Sequence, residues 1–217
     1  MKRVAEFNGI NQGDHLKKMF IFIALIISLI YGSGIMSNTL YAQNSNADTL
    51  QVKIAEGDVW SYFKGDQKPP TQWYTNGFDD TSWQRGPSGF GYGIASNRTY
   101  LGDMKGNYST VYVRREFIIS NIYSVVDMSF GVVCDGPFVA YLDGIEMIRN
   151  DTAMPYTIDQ ATGIPTAEKL NVNGFIHELI PGKNILSVEC TNDDINSDHF
   201  TFVPFFEVLE DQGGSAQ

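Results

Sequence analysis

The chain has 217 residues, of which 43% are hydrophobic, and it carries a formal net charge of −10. An acidic surface repels nucleic acid and anionic lipid, because binding either of them requires Lys or Arg side chains that neutralise phosphates. We therefore expect no nucleic-acid partner.

The first predicted element is a targeting segment at residues 1–42. Lys17 and Lys18 precede the apolar run at residues 20–31, and Ala42 stands at the position for cleavage. This order is typical of a secretory signal peptide, and the run is short for a transmembrane helix, which needs about 20 apolar residues. We expect cleavage after Ala42, no membrane insertion afterwards, and a secreted, periplasmic or cell-surface protein. An uncleaved anchor is the alternative.

Removal of residues 1–42 leaves eleven basic and 23 acidic residues, and hence a net charge of −12. The 175 residues that remain are enough for one domain with a core of its own. We place a flexible leader at residues 43–50, the domain at residues 51–210 and a flexible tail at residues 211–217.

The domain has the sequence pattern of β-structure. Six segments are rich in β-branched and aromatic residues, and several alternate apolar with polar side chains, which is typical of half-buried strands. Asp143-Gly144 between two of them predicts a two-residue hairpin, because a type I′ turn needs positive φ at both central positions. Pro181-Gly182 predicts a further turn, and residues 159–170 could hold one helical turn. The predicted strands are residues 110–119, 126–133, 137–142, 145–149, 184–190 and 200–209.

The arrangement of these segments predicts the fold class. Short strands separated by turn signals, without a long window of helical periodicity, favour an all-β, antiparallel, two-sheet β-sandwich. Three long loops, at residues 64–77, 84–109 and 150–172, hold much of the Gly, Pro and aromatic content. Loops of this length in a compact domain are usually functional or packed by their own side chains.

Several short motifs of this domain recur in the same order in galactose-binding-like jelly-roll modules, and residues 53–209 resemble that family. The resemblance implies a jelly-roll sandwich and a non-catalytic module of secreted or surface proteins of bacteria. Many such modules bind carbohydrate, others pack against a neighbouring domain, and some carry a structural calcium. The motifs are WSY at 60–62, FDDxxW at 78–83, GFGYG at 89–93, YxRxxF at 112–117, DG at 135–136, YLDG at 141–144, PGxNxLxVE at 181–189, and Asp198 with Phe200 and Pro204.

The adjacent carboxylates Asp79 and Asp80 could form a catalytic pair or ligate a metal. Glycosidase carboxylates, however, stand about 5 to 9.5 Å apart across a substrate, and neighbours in sequence tend to point apart. The favoured interpretation is that Asp79 or Asp80 caps a short turn, with Thr81 and Gln84 in a capping box.

The remaining chemical motifs are incomplete. The glycines of residues 86–93 lack the lysine and the helix of a phosphate loop, and His177 and His199 form no zinc motif. A calcium loop that begins at Asp194 fails at His199, where glycine belongs, and at Phe205, where glutamate belongs. We therefore expect no catalytic residue and no metal ligand, with a structural calcium as a separate minor possibility from the resemblance.

The sequence contains two cysteines, Cys134 and Cys190. In an oxidising compartment they could form a disulfide. They could equally be two small buried residues in separate strands, because the sequence does not show whether their Cα atoms lie within bridging distance.

Carbohydrate binding requires an aromatic platform and a few fixed hydrogen-bonding groups. The candidates in loops are Trp73, Tyr74, Arg98, Tyr100 and Asp103. The alternative is that these aromatic residues only pack, since the chain has eleven Tyr and fourteen Phe residues. We expect a non-catalytic module that binds a carbohydrate or surface glycan. A structural or adhesion module that contacts another envelope protein is the alternative, and a glycoside hydrolase, or an accessory fragment of one, is the distant third.

Overall fold

The structure is a computed structural model that describes residues 49–211, and for residues 49, 50, 52 and 53 the backbone alone. The predicted signal peptide at 1–42, most of the predicted leader and nearly all of the predicted tail lie outside the described residues. Within residues 49–211 no helix is both long enough and apolar enough to cross a membrane.

The described residues form two six-stranded sheets and a small hairpin. Sheet A consists of β1 (Thr49–Ile54), β4 (Phe90–Tyr92), β5 (Thr99–Tyr100), β7 (Val125–Cys134), β12 (Leu170–Asn171) and β14 (Phe200–Asp211). Sheet B consists of β2 (Val59–Lys64), β3 (Gln84–Pro87), β6 (Thr110–Ile119), β8 (Phe138–Leu142), β9 (Ile145–Asn150) and β13 (Gly182–Thr191). The hairpin pairs β10 (Tyr156–Ile158) with β11 (Pro165–Ala167).

Long central strands organise both sheets. Sheet A has the order β12-β7-β14-β4-β5, with β1 paired to β14, and sheet B has the order β3-β2-β6-β13-β8-β9. The pairs are antiparallel except β4 with β5. Short 3-10 helices occur at Ile122–Ser124 and Asn173–Glu178. The predicted antiparallel β-sandwich is therefore confirmed.

The core lies between the two sheets because alternate residues of each strand point inward. Phe117 of sheet B contacts Phe206 of sheet A, with their ring centroids 5.3 Å apart. Phe130 of sheet A similarly lies 6.1 Å from Phe138 of sheet B. Burial of such a side chain stabilises the fold by about 1.5–3 kcal/mol. These contacts hold the sheets face to face and leave the outer faces for loops or ligands.

The hairpin between β8 and β9 has the predicted turn. Asp143 and Gly144 have φ values of 49° and 102°, and Leu142 pairs with Ile145 across them. The Asp143 carboxylate also accepts a hydrogen bond of 2.8 Å from the backbone N–H of Ile185. A turn residue thus connects β8 to the neighbouring strand β13.

Cys134 and Cys190 form a disulfide in the structure, with their Cα atoms 6.2 Å apart. Cys134 ends β7 in sheet A, whereas Cys190 lies in β13 of sheet B. Both residues are fully buried. The bond therefore joins the two sheets inside the core.

Candidate functional site

The motif FDDTSW forms a turn rather than an active site. Asp79 accepts a hydrogen bond of 3.0 Å from the backbone N–H of Thr81, and the N–H of Trp83 donates to the carbonyl of Asp80 at 2.9 Å. The hydrogen bonds from Thr81 lower the pKa of Asp79, which is fully exposed. The expected capping by Asp79 is present. The capping box is not, because Gln84 begins strand β3 instead of entering a helix.

Asp80, the second aspartate of the motif, forms an ion pair with Arg114 of β6. The Arg114 side chain is only 2% exposed, and its Nε lies 3.0 Å from a carboxylate oxygen of Asp80. The guanidinium also donates to the carbonyls of Trp73, Thr75 and Phe78. Arg114 therefore fastens the loop at residues 73–80 to the outer face of sheet B.

Trp73 and Tyr74, two of the predicted ligand residues, lie in this loop. Trp73 is 6% exposed and packs against Trp83, Tyr112 and Tyr141, with ring centroids 5.1–6.0 Å apart. A ring enclosed in this way offers little surface for a ligand. Tyr74 is half-buried and stacks on Tyr141 at 4.5 Å.

The other three predicted residues lie in β5 and beside it. Arg98 is exposed, and its Nη2 lies 3.5 Å from a carboxylate oxygen of Glu56. Tyr100 is 76% exposed, and its ring lies against Gly102. Among residues 49–211, no hydrogen bond, ion pair or ring contact connects these side chains with Trp73 or Tyr74. The structure therefore brings Trp73 and Tyr74 together, but among the residues that it describes it shows no contact between them and the other three predicted residues.

Asp103 is held by its own neighbours. Its two carboxylate oxygens accept hydrogen bonds from Lys64 at 2.7 Å and from the hydroxyl of Tyr108 at 3.0 Å. Burial acts to raise the pKa of Asp103, but the hydrogen bonds from Lys64 and Tyr108 outweigh it, and the pKa is lowered. Asp103 thus connects the end of β2 to the loop before β6.

A groove on the outer face of sheet A, which we call the Phe205 groove, includes Glu56, the ion-pair partner of Arg98, in its lining. Its volume is about 260 Å³. Val203 and Phe205 of β14 line it together with Glu207, while Ala55 and Glu56 line it just after β1. Pro165, Thr166 and Ala167 of β11, followed by Lys169, complete the lining.

The strand pairing explains why the groove opens at this point. One edge of β14 pairs with β4 as far as Phe202, and with β1 only from Phe206 onward. The residues between them, Val203 to Phe205, therefore have no partner strand on that edge. The segment that follows β1, beginning at Ala55, lines the groove at this gap. The β10–β11 hairpin lines it as well, through β11.

Phe205 is positioned by a glycine on the neighbouring strand. Gly131 of β7 is directly opposite Phe205 in the register. A Cβ atom added at Gly131 would overlap ring atoms Cε2 and Cζ of Phe205. The ring therefore lies across the space that any other residue would fill. Phe205 remains partly exposed toward the groove.

Charged groups surround this ring. The Nζ of Lys169 lies 2.5 Å from a carboxylate oxygen of Glu207. Burial raises the pKa of Glu56, although the charge of Arg98 acts in the opposite direction. The groove thus combines an aromatic surface with two carboxylates and an ammonium, and one of these carboxylates, that of Glu56, is paired with the predicted ligand residue Arg98.

The sequence contains a weak signal for this groove. Phe202 and Phe206 face the core, and Phe205 is on the opposite face of β14 with Val203 and Glu207. An aromatic residue beside a glutamate on the solvent side of a strand is the feature that could have indicated a ligand surface. The rest of the lining comes from distant segments.

The segment that begins at Asp194, which matches a calcium loop only in its first half, uses its carboxylates in other contacts. Asp194 accepts a hydrogen bond of 2.8 Å from the backbone N–H of Asn196, and Asp198 lies 2.5 Å from the Nζ of Lys105. In the part of the chain that the structure describes, no group of three or more His, Cys, Asp or Glu side chains is arranged to hold a metal ion.

No protein-family model and no curated protein matches this sequence. Solved structures do match. The β-glucuronidase of Bacteroides uniformis is 11% identical, with a TM-score of 0.50, over 73% of this chain and 18% of its own. A glycoside hydrolase family 2 member from Bacteroides cellulosilyticus is 12% identical over 72% of this chain and 20% of its own, with a TM-score of 0.48. The β-glucuronidase of Faecalibacterium prausnitzii is 10% identical over 75% of this chain and 32% of its own, with a TM-score of 0.46.

The comparison defines the class of the fold. This chain is a β-sandwich domain whose fold also occurs within the β-glucuronidase of Bacteroides uniformis. The match spans between 18% and 32% of the three enzyme chains.

Proposed function

We propose that this chain is a non-catalytic carbohydrate-binding β-sandwich whose ligand lies in the Phe205 groove. The observation that carries the proposal is the position of Phe205: its ring lies across Gly131 on the outer face of sheet A and lines a groove of about 260 Å³. A ring fixed in this way is pre-organised as a platform for the apolar face of a sugar.

The polar groups of the groove suit the same ligand class. Sugar hydroxyls both donate and accept hydrogen bonds, and carboxylates, ammonium and guanidinium groups can satisfy them. Glu207 and Lys169 line the groove as an ion pair, and Glu56, which also lines it, is paired with Arg98. The groove therefore offers donors and acceptors around a flat apolar surface, which is the general composition of a carbohydrate site.

The fold is consistent with a carbohydrate-binding role, but the proposal does not rest on it. A sandwich of this fold within a β-glucuronidase chain fits a domain that works beside carbohydrate, including an accessory fragment of a glycoside hydrolase. We further propose a secreted, periplasmic or cell-surface location, on the strength of the targeting pattern in residues 1–42.

The Phe205→Ala variant is expected to bind a recognised polysaccharide about tenfold more weakly than the unmodified protein, because the platform is lost. Affinity electrophoresis against a panel of soluble polysaccharides identifies a ligand, and calorimetry gives the dissociation constant. The Gly131→Ala variant should weaken binding in the same direction, since its methyl group displaces the ring without removing it.

Tyr123→Ala is the matched control, because Tyr123 is an aromatic residue that is 93% exposed and does not line the groove. It should leave binding unchanged. Unaltered binding by a folded Phe205→Ala variant would show that the Phe205 groove is not the carbohydrate-binding site. Loss of binding in Tyr100→Ala instead would assign the ligand to the loop that the sequence indicated. Hydrolysis of a glycoside panel by the unmodified chain would contradict the non-catalytic assignment.

A further inference from the structure

The outer face of sheet B carries a second cluster, distinct from the Phe205 groove. We call it the tyrosine face and define it by Tyr74, Tyr112, Tyr141 and Glu189. On β6, β8 and β13 these positions alternate with core residues, so they point away from the other sheet. The loop held by Arg114 covers one side of this face and contributes Tyr74.

The aromatic rings of this face pack against one another and against Trp73 of the covering loop. Tyr74 and Tyr141 stack with their ring centroids 4.5 Å apart and their planes at 18°. The buried ring of Trp73 meets Tyr112 at 5.1 Å and Tyr141 at 5.8 Å, edge to face. All three tyrosines are half-buried. Their rings are therefore held in place by these contacts and remain partly exposed.

Glu189 lies in the middle of this surface. In the register it is directly opposite Tyr112 on one side and Val139 on the other. Directly opposed residues have Cβ atoms about 5 Å apart, and the diagonal neighbour Tyr141 lies about 7–8 Å away. Burial is the largest effect on Glu189 and raises its pKa; for Tyr141, burial and then the charge of Glu189 raise the pKa to about 12.

The charge of Glu189 is not paired. Among residues 49–211, no Lys, Arg or His nitrogen forms an ion pair with its carboxylate within 4.0 Å. The nearby guanidinium of Arg149 is instead engaged by Glu146 through two hydrogen bonds of 3.0 and 2.8 Å. The charge of Arg149 acts on Glu189 from this position and opposes the effect of burial on its pKa, but it forms no ion pair with the Glu189 carboxylate. Glu146, Arg149 and Glu189 together leave a net charge of −1 on this part of the face.

We propose that the tyrosine face binds an ammonium group carried by an unacetylated amino sugar. A carboxylate only accepts hydrogen bonds, so it selects a ligand that donates them, and an ammonium also compensates its charge. Tyrosine rings attract cations through their faces and accommodate the apolar side of a pyranose. Partly exposed tyrosine rings beside one half-buried carboxylate match a rigid ring that bears a single ammonium. The site does not depend on the Phe205 groove.

Calorimetric titration with glucosamine oligomers and with fully N-acetylated oligomers of the same length tests the proposal. The unmodified protein should bind the amine form at least about tenfold more tightly, at physiological salt and a pH that keeps the amine protonated. Glu189→Gln should abolish this preference, and Tyr74→Ala should weaken binding of the amine form without unfolding the sheet. Glu116→Gln is the matched control, because Glu116 is an exposed carboxylate of the same sheet, paired with Lys183.

Each other result would overturn the proposal. Equal affinity for the acetylated oligomer would show that no ammonium is recognised. Equal losses in Glu189→Gln and Glu116→Gln would show non-specific attraction to an acidic protein. Binding of a lysine-rich peptide in place of the oligomers would assign the face to a protein partner. Phe205→Ala should leave the preference for the amine intact, which separates this site from the groove.

Discussion

Replacing Arg114 with methionine is expected to lower the free energy of unfolding by about 3 kcal/mol, at the lower end of the effects seen when one partner of a buried ion pair is removed. The guanidinium is 2% exposed and the Asp80 side chain 26% exposed, so Asp80 regains only part of its hydration. Three backbone carbonyls also lose their donor, which adds to the loss. Urea denaturation followed by tryptophan fluorescence measures the change.

Asp79→Asn is the matched control for this prediction, because Asp79 is the adjacent carboxylate and only caps an exposed turn. It should leave the free energy of unfolding nearly unchanged, because Asn caps such a turn about as well as Asp. Asp80→Asn should fall between the two, since a neutral acceptor remains for the guanidinium. If Arg114→Met proves no more destabilising than Asp79→Asn, the buried pair does not hold the loop on sheet B.

The sequence alone predicts the long strands well. The segment at residues 110–119 coincides with β6, and the other five predicted strands overlap β7, β8, β9, β13 and β14 with ends within two residues. Period-two alternation produces this agreement, because each long strand buries one face. The strands β3, β5 and β12 have four residues or fewer and are set by their partners, so their own sequences contain too little pattern.

The two candidate surfaces could not be predicted in the same way. Alternation correctly places Arg114 on the outer face of β6, where a charged residue is expected to be solvated. Its burial depends on a loop about 40 residues earlier in the chain. Likewise, nothing in the local sequence of Gly131 or Phe205 shows that they are opposite each other. The position of the β10–β11 hairpin beside the Phe205 groove is also a tertiary property.

The five residues proposed from the sequence illustrate the same limit. An aromatic or charged residue in a long loop can pack, as Trp73 does, or engage a neighbour, as Asp103 does with Lys64. Composition does not distinguish these outcomes. Arg98 and Tyr100 are exposed, and Arg98 is next to Glu56 in the lining of the groove. Whether any of the five contacts a ligand stays a prediction.

Removing the disulfide in a Cys134→Ala/Cys190→Ala variant is expected to lower the free energy of unfolding by about 4 kcal/mol. The reason is that the disulfide closes a long loop and so reduces the conformational entropy of the unfolded chain, and the variant regains that entropy. The bonded residues are 56 positions apart and connect β7 of one sheet to β13 of the other. Urea denaturation of the variant and of the oxidised parent measures the difference.

Reduction provides the control, because it removes the same constraint without changing a residue. The parent unfolded and reduced in urea should show the stability of the variant, apart from the small cavity left by two sulfur atoms. Both sulfur-bearing residues are fully buried, so a thiol reductant in native buffer should act only when the sandwich opens. A variant within about 1 kcal/mol of the oxidised parent would mean that core packing alone holds the sheets together. The expected loss would instead mean that the fold depends on oxidation, which agrees with the export predicted from residues 1–42.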